Sequence, residues 1–272
     1  MSTVIKHPAI RYHGGKFRLA SWIISHFPDH RCYVEPFGGA ASVLLKKKQS
    51  EAEVYNDLDG DVVNLFRVLR DPVSSQALID ACALTPYSRV EFRCAYEPTD
   101  DPIEKARRLI VRATMGFGSA GATKGCTGFR LDTRRNSATA QAIWARQPDN
   151  LAAVASRFSG VLVENRDAIQ CMRDHDTPTT LHFVDPPYVH DTRVSVSKNN
   201  AYRFEMTDIQ HIELLNALKA LQGAVVLCGY DSEIYNDSLS SWKKETRTVA
   251  ACGQAGAVPR TECLWLNPAA QY

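Results

Sequence analysis

Long apolar runs are missing from this sequence of 272 residues. No segment approaches the about 18 apolar residues that a membrane-spanning helix needs, and residues 1–8, Met-Ser-Thr-Val-Ile-Lys-His-Pro, lack the apolar core of a signal peptide. The apolar share of 44% and the charged share of 23% are typical of a globular protein in water. We therefore expect a cytoplasmic protein with no membrane partner, formed by one large domain or by a core with an inserted module.

Clustered metal ligands are missing as well. The 8 cysteines form no Cys-x-x-Cys pair, and the 8 histidines show no spacing typical of a metal site. This argues against a metal centre and against a disulfide framework, so we expect reduced and mostly buried thiols. The net charge of +2 is too small to indicate a nucleic-acid partner, and such a partner must be sought in local charge.

Two common nucleotide-binding fingerprints are also absent. Residues 12–16, Tyr-His-Gly-Gly-Lys, contain Gly-Gly-Lys but not the full phosphate loop Gly-x-x-x-x-Gly-Lys-Ser/Thr. Residues 35–39, Glu-Pro-Phe-Gly-Gly, lack the Gly-x-Gly-x-x-Gly spacing of a dinucleotide site. We therefore predict neither a nucleoside triphosphatase nor an NAD enzyme. Taken alone, residues 12–16 are a turn that leads into a helix.

The most informative segment present is residues 181–188, Leu-His-Phe-Val-Asp-Pro-Pro-Tyr. Its apolar half predicts a buried strand, which the prolines end because proline cannot donate to a sheet. Asp185 then stands at a strand exit, where ligands bind in open α/β sheets. Its carboxylate, the Pro186 carbonyl and the Tyr188 ring suit a flat ligand with an exocyclic amino group. The same four residues also fit a plain turn, and they do not decide the question alone.

Two earlier segments have the same strand-then-turn pattern. Residues 32–35 predict a strand, followed by a Gly-Gly bend at 38–39 and a helix that begins among small residues. Residues 52–55 predict a second strand, which ends at Asn56-Asp57. Asp57 follows the glycine turn by about 20 residues, a spacing typical of an acid that accepts ribose hydroxyls. Its alternative role is that of a helix N-cap. Asp59 and Asp61 are expected to be first-turn acids that face solvent.

The second half of the chain continues the alternation of strands and helices. A strand over 161–163 precedes Asp167, for which a helix N-cap is the favoured role. A helix begins at Thr207-Asp208, and residues 224–230 predict another buried strand. Residues 242–249 and 261–267 predict two closing strands that form an antiparallel hairpin.

Residues 103–135 are far more basic than the rest of the chain. Their centre, residues 115–125, is too rich in glycine for a helix, and such loops suit phosphates and bases of a nucleic acid. The alternative is a solvated linker between subdomains. Tyr202 and Phe204, in a polar loop further on, are candidate contact aromatics. The basic residues are Lys105, Arg107, Arg108, Arg112, Lys124, Arg130, Arg134 and Arg135.

These motifs, in this order over residues 11–267, resemble the Dam-type DNA adenine-N6 methyltransferases, which use S-adenosylmethionine (AdoMet). The resemblance implies that Asp185, Pro186, Pro187 and Tyr188 form the catalytic motif. It implies AdoMet contacts by Tyr12, Gly14, Gly15, Lys16, Glu35, Pro36, Phe37, Gly38, Gly39, Asp57 and Asp185. It also places the target-recognition domain where the basic segment lies. From the charge of that segment we expect DNA contacts by Arg112, Lys124, Arg130, Arg134 and Arg135, with Tyr202 as a further candidate.

The fold implied by this resemblance is α/β, with a Rossmann-like AdoMet-dependent methyltransferase sheet. The sheet is mostly parallel and ends in an antiparallel C-terminal hairpin. Residues 1–70 and 150–272 would form the catalytic domain, and residues 71–149 an inserted, mainly helical target-recognition subdomain. Tyr12 stands where some members have Trp. The recognition segment resembles known members less than the core does, so no target sequence is transferred.

The activity implied is methyl transfer to adenine N6 in double-stranded DNA, with the target base flipped out of the helix. Such an enzyme needs no metal, and we expect a monomer or weak dimer. Two alternatives remain open at this point. One is an amino methyltransferase that acts on cytosine N4 or on RNA, and the other is a DNA-binding protein that has kept the fold without catalysis.

Overall fold

The chain is described here by a computed structural model that covers residues 5–123, 125–131, 139–192, 202–253 and 256–271. Strands and helices alternate over most of these ranges, as the sequence predicts. The strands are β1 (Cys32–Glu35), β2 (Ala52–Asn56), β3 (Leu162–Glu164), β4 (Thr180–Val184), β5 (Ala224–Tyr230), β6 (Lys243–Gly253) and β7 (Gly256–Leu266). The α-helices are α1 (Ala20–Ile24), α2 (Gly60–Arg70), α3 (Pro72–Leu84), α4 (Arg89–Cys94), α5 (Pro102–Met115), α6 (Ala140–Trp144), α7 (Gln147–Phe158), α8 (Ala168–Asp174), α9 (Asp208–Lys219) and α10 (Glu233–Ser238).

The strands form one seven-stranded sheet in the order β3-β2-β1-β4-β5-β7-β6. The first five strands along the chain pair in parallel. β7 lies antiparallel to β5, and β6 lies antiparallel to β7. The predicted α/β class, the mostly parallel sheet and the antiparallel C-terminal hairpin are therefore confirmed.

The strand order changes direction between β1 and β4. From β1 the chain continues to β2 on one side, and β4 later pairs with the other side of β1. The loops that leave these two strands go to opposite sides, and a crevice opens between them at the carboxyl edge of the sheet. Glu35 and Asp185 stand at the two exits, so the topology places both carboxylates beside this crevice.

Both faces of the sheet are buried. Successive residues of a strand point to opposite faces, and Tyr33 packs in one hydrophobic cluster while Val34 packs in the other. The first cluster includes side chains of α2, α5 and α7, and the second includes side chains of α8, α9 and α10. This double burial explains why β5 is nearly all apolar rather than alternating.

Helix starts follow the predicted N-caps in two places. The side chain of Asp167 accepts a hydrogen bond from the Gln170 N–H at the start of α8, which confirms the favoured N-cap. Thr207 and Gln210 form a reciprocal capping box at the start of α9. These caps satisfy N–H groups that have no partner within the helix, and they fix where each helix begins.

The helix predicted after the Gly38-Gly39 bend is not formed. Residues 42–46 are turns, and Ala41 has a φ of 53°. In an α-helix the Leu44 N–H would bond the carbonyl four residues earlier, but here it donates to the Glu35 carboxylate at 3.0 Å. A buried side chain has thus replaced the helical partner, a contact that sequence periodicity does not contain.

The helices α3 to α7 lie between β2 and β3 in the chain. Helix α3 packs against α5 and α7, and α5 packs against α2. The first part of the basic stretch forms the long helix α5, which ends where the glycine-rich centre begins. The division of the chain into a catalytic domain and an inserted recognition subdomain at 71–149 stays a prediction.

A buried ion cluster joins β2 to α7. The Glu53 side chain is only 2% exposed; it accepts from Lys47 Nζ at 2.6 Å and from two Arg157 nitrogens at 2.6 and 2.8 Å. Burial alone would raise the pKa of Glu53, but Arg157 and Lys47 outweigh it and hold the pKa below its ordinary value. The cluster thus links β2 of the sheet to α7 of the helical layer.

We expect Glu53→Ala to lower the free energy of unfolding by about 3 kcal/mol or more, because it leaves two buried cations without their anion. Urea unfolding followed by circular dichroism measures the loss. Glu51→Ala is the matched control: Glu51 pairs with Arg31, both side chains are well exposed, and we expect a loss below about 1 kcal/mol. Equal losses in the two variants would contradict this role for the cluster.

Candidate active site

The exits of β1, β2 and β4 bring three carboxylates to one edge of the sheet. Glu35 is the last residue of β1, Asp57 follows β2, and Asp185 follows β4. Asn56 fixes the spacing of the exits, because its side-chain amide donates to the Pro36 carbonyl at 2.9 Å and to the Arg166 carbonyl at 3.0 Å. The exits of β1, β2 and β3 are therefore held by side-chain hydrogen bonds as well as by the sheet.

Glu35 is a buried acid with local donors. Its Oε2 accepts from the Tyr33 hydroxyl at 2.7 Å and from the Leu44 N–H at 3.0 Å. Burial raises the pKa of Glu35 to about 8, and these hydrogen bonds only partly oppose it. The carboxyl group therefore titrates near neutral pH in the folded protein.

The glycine turn brings backbone close to aromatic rings. A Cβ on Gly38 would collide with the Tyr55 ring, whose hydroxyl donates to the Gly39 carbonyl at 2.7 Å. Gly39 has a φ of 46°, and a Cβ there would lie 2.9 Å from the Tyr12 ring. Neither position has room for a side chain, so the turn leaves backbone groups at the pocket surface.

Asp57 joins the glycine turn to the start of α2. Its Oδ2 accepts from the Gly39 N–H and its Oδ1 from the Asp59 N–H, each at 2.8 Å. Burial raises the pKa of Asp57 to about 6 despite these bonds. Asp57 is not the helix N-cap, because Asp59 holds that position and accepts from the Asp61 N–H.

The prediction that Asp59 faces solvent is wrong. Asp59 is 1% exposed, and its Oδ1 accepts from Arg203 at 2.8 Å, while the other Arg203 nitrogen lies 2.9 Å from Asp61. Asp61 is partly buried, and Lys105 also contacts it, at 3.0 Å. Arg203 thus fastens residues 202–206 over the Asp57 loop, a long-range contact with no local sequence signal.

The turn at residues 12–16 reaches across to β4. Lys16 is 5% exposed, and its Nζ donates to the Gly14 carbonyl at 2.7 Å and lies 3.0 Å from Asp185 Oδ1. Burial alone would lower the pKa of Lys16, but Asp185 and Glu262 outweigh it and raise the pKa. Burial likewise raises the pKa of Asp185, although the Lys16 ammonium opposes the shift.

Tyr188 lies behind the pocket rather than on its open surface. It is 8% exposed, and its hydroxyl donates to Glu262 Oε2 at 2.8 Å. Lys16 Nζ is 4.7 Å from the ring centroid, and the Tyr230 ring meets it at 4.6 Å with an interplanar angle of 73°. The Tyr188 ring is therefore packed between a cation and an aromatic edge.

A pocket lies at this edge of the sheet. Its walls combine aromatic, glycine and carboxylate surfaces, as small-molecule sites commonly do. Pro36 and Pro186 are buried beneath the loops and do not line it. The sequence-predicted residues that line the pocket are Tyr12, Gly14, Gly15, Lys16, Glu35, Phe37, Gly38, Gly39, Asp57, Asp185, Pro187 and Tyr202.

The model of the D12 class N6 adenine-specific DNA methyltransferases matches residues 12–250, most of the chain and all of this pocket's predicted motifs. The chain belongs to this family. The match confirms the resemblance drawn from the ordered motifs. It concerns the family, and the role of each site residue stays a prediction.

The relatives of this chain include DNA adenine methylases from several bacteria. The chain is 30% identical to the Haemophilus influenzae protein over 123 residues, which is 42% of each chain. It is 30% identical to the Escherichia coli K12 protein over 116 residues, or 40% of each chain, and 34% identical to the Serratia marcescens protein over 61 residues. This chain thus spans about two fifths of the length of the Haemophilus influenzae and Escherichia coli proteins.

The residues predicted to contact DNA fall into three groups in this family member. Tyr202 lines the pocket, with its ring 5.1 Å from that of His13. Arg112 is 14% exposed; it donates to the Ala95 carbonyl at 2.7 Å and lies 3.7 Å from Asp61. Arg130 is 9% exposed, and its backbone pairs with Met115. The remaining predicted contacts, Lys124, Arg134 and Arg135, lie outside the described residues.

Other basic residues of the D12 chain are used inside the protein. Arg107 and Arg108 both donate to the Glu104 carboxylate, at 2.6 Å each through their Nε atoms. Arg107 also contacts Glu91 at 3.1 Å. The high local density of Lys and Arg in the sequence therefore overstated the positive charge that this helix presents to solvent.

Two absences apply to the described part of the D12 chain. No helix there is both long enough and apolar enough to cross a membrane. No group of three or more His, Cys, Asp or Glu side chains in the same ranges is arranged to hold a metal ion.

Sequence reasoning missed Arg203 and gave Glu262 no role. Glu262 had a usable signal, because it is a charged residue at the start of the apolar run Cys-Leu-Trp-Leu in β7. A charge beside a buried strand segment is uncommon unless it has a partner. The partner, Tyr188, is 74 residues away, so only the folded chain identifies it.

The raised pKa of Glu35 predicts a pH effect on stability. The unfolded chain releases this proton near the ordinary value of 4.5, and the folded protein releases it near 8. Between these values a rise in pH favours the unfolded chain, so the contribution of Glu35 to wild-type stability falls from about pH 5 to about pH 8 and no further above that.

Glu35→Gln carries no such proton, so its unfolding free energy should fall less over that window. Urea unfolding of both proteins at several pH values measures the difference, and any contribution of Asp57 is present in both. Parallel pH profiles for wild type and Glu35→Gln would contradict the prediction, because they would show that the folded and unfolded chains bind the Glu35 proton equally.

Proposed function

We propose that this chain transfers a methyl group from AdoMet to the N6 amino group of adenine in DNA. The observation that carries the proposal is the Asp185 exit: a carboxylate at the β1/β4 crevice that lines the pocket and continues into Pro-Pro-Tyr. Membership of the D12 family supports the same reaction. DNA adenine methylases among the relatives support DNA as the substrate.

The pocket residues fit AdoMet by their chemistry. AdoMet carries a sulfonium, an ammonium, a ribose diol and an adenine ring. Glu35, Asp57 and Asp185 give the pocket carboxyl oxygens that accept hydrogen bonds from cationic and hydroxyl groups, and Tyr12 and Phe37 give aromatic walls. The two glycines without room for side chains allow close approach to backbone. When bound, AdoMet would supply an electrophilic methyl group.

Asp185 and the Pro186 carbonyl would act on the target amino group. The adenine amino nitrogen is a weak nucleophile because its lone pair is delocalised into the ring. Two acceptors that bind its N–H groups favour the pyramidal nitrogen and aim its lone pair at the pocket. The nitrogen becomes positively charged as it gains the methyl group and releases a proton afterwards. A carboxylate beside it stabilises that charge more than it stabilises the neutral ground state.

The target base would have to leave the duplex to reach this site. An atom on a paired base inside the stack is inaccessible, and enzymes that modify bases flip them into a pocket. An aromatic ring beside the acceptors, as Tyr188 is, suits such a base by stacking. Tyr188 is packed behind the pocket in the present structure, so stacking requires that the base or the loop around it moves.

Positive charge for the DNA backbone is proposed to come from the segment that contains Lys124, Arg134 and Arg135. Cations that release counterions from phosphates supply most of the affinity of such interfaces. Arg112 and Arg130 are buried and contact other parts of the chain. Their burial leaves them poorly placed to meet a phosphate.

We expect Asp185→Ala and Tyr188→Ala each to remove most methyl transfer, by about 100-fold or more, because each deletes an acceptor or a stacking surface used in the transition state. Tritiated AdoMet with DNA measures the rate. Digestion of the product to nucleosides identifies the base, and N4-methylcytosine instead of N6-methyladenine would reject the adenine assignment. Near wild-type turnover in both variants would reject the assigned site.

We expect Asp57→Asn to weaken AdoMet binding by about tenfold, because a charged acceptor for hydroxyl groups is replaced by a neutral one. Isothermal titration calorimetry measures the affinity. Asp71→Asn is the control: Asp71 caps α3 with a comparable side-chain bond but is not part of the pocket. An unchanged affinity in Asp57→Asn would remove this residue from the cofactor site.

A further inference from the structure

A buried carboxylate from β7, the last strand along the chain, lies behind the proposed catalytic motif. Glu262 is 7% exposed and lies in β7, where it is in register with Tyr230 of β5. It does not line the pocket. A buried carboxylate is costly unless it is hydrogen-bonded or paired, so its place beside the site calls for a partner.

That partner is the hydroxyl of Tyr188. The Tyr188 hydroxyl donates to Glu262 Oε2 at 2.8 Å, and Cys228 Sγ lies 3.5 Å from the hydroxyl oxygen. Hydrogen bonds to an ionised acceptor are stronger than those between neutral groups. The backbone of Tyr188 belongs to the loop after β4, and Glu262 therefore anchors the far end of its side chain to the sheet.

This anchor fixes the axis of the ring, and the packed neighbours fix its plane. Lys16 Nζ lies 4.7 Å from the ring centroid, and the Tyr230 ring meets it from another side. A tyrosine side chain has two rotatable bonds before the ring. A bond at the hydroxyl restricts the first, which sets where the ring lies, while the neighbours restrict rotation about the second. A ring that stacks on a base must hold a set plane, since small misplacements of catalytic groups cost rate.

We propose that Glu262 is a positioning residue for methyl transfer, which acts by orienting the Tyr188 ring through its hydroxyl. The inference rests on the proposed function and adds to it a role for the closing strand β7. Glu262 also adds negative charge near Lys16. A purely electrostatic role would act through Lys16 and Asp185, and it would not need the tyrosine hydroxyl.

A double-mutant cycle separates these two roles. Tyr188→Phe keeps the ring and removes the hydroxyl, and Glu262→Gln removes the charged acceptor. We expect each single variant to lower the single-turnover methylation rate by about tenfold or more, with AdoMet affinity unchanged within about twofold because neither residue lines the pocket. The double variant should be no slower than the slower single variant, because both changes break the same bond.

Two further variants complete the design. Glu262→Asp keeps the charge but shortens the side chain by one methylene, so its carboxylate no longer reaches the Tyr188 hydroxyl. A positioning role therefore predicts a loss of rate like that of Glu262→Gln. If the Glu262→Gln protein does not fold, the Glu262→Asp protein takes its place in the cycle. Glu245→Gln is the matched control on the neighbouring strand, where Glu245 contacts Lys243 at 2.9 Å. It should methylate at the wild-type rate, and circular dichroism checks the fold of every variant.

Four results would overturn the inference. A wild-type rate in Glu262→Gln removes any role for the residue in the reaction. Losses that multiply in the double variant, or full activity in Glu262→Asp, assign the effect to charge and not to Tyr188. If the wild-type protein methylates cytosine, the adenine assignment is rejected, but the coupling between Glu262 and Tyr188 can still be measured on that product. If no methylated base is formed, both proposals are rejected.

Discussion

A buried ion pair between Lys16 and Asp185 holds the candidate site together. Lys16 belongs to a turn near the start of the described chain and Asp185 to the exit of the fourth strand, and their charged atoms are 3.0 Å apart. In a site with little solvent, neither charge is stable without the other. The pair therefore fixes the N-terminal turn against the sheet, and with it one wall of the pocket.

The acids around that pair suit the charge of the proposed ligand. Glu35 and Asp57 have pKa values raised by burial, to about 8 and about 6. Such a site disfavours its own negative charge and gains when a cationic ligand enters. The same feature reduces the stability of the empty protein at neutral pH, a cost often found where a site is built for binding rather than for folding.

The charged residues of the helical layer show the opposite use of charge. Glu53 with its two cations, and Arg107 and Arg108 on Glu104, join elements of the fold to each other. Arg203 does the same for the segment that lies over the Asp57 loop. Counting Lys and Arg along the sequence did not distinguish these structural pairs from cations available to DNA, because pairing depends on which carboxylates the fold brings near.

The sequence by itself determined the alternation of strands and helices, the antiparallel closing hairpin and the ordered motifs of the family. These features are local: periodicity, proline and glycine positions, and short patterns with fixed spacing. It also gave most residues that line the pocket, because those residues stand at strand exits, which apolar runs and their terminators mark.

Only the tertiary structure decided which side chains meet. It replaced the predicted helix after Gly39 with turns, in which Glu35 binds Leu44, made Asp59 and not Asp57 the cap of α2, and placed Glu262 on Tyr188. Each is a contact between residues that the sheet and its loops bring together, and side-chain hydrogen bonds at such distances leave no periodic trace in the chain. The fold class was therefore readable from the sequence, while the hydrogen-bond partners within the site were not.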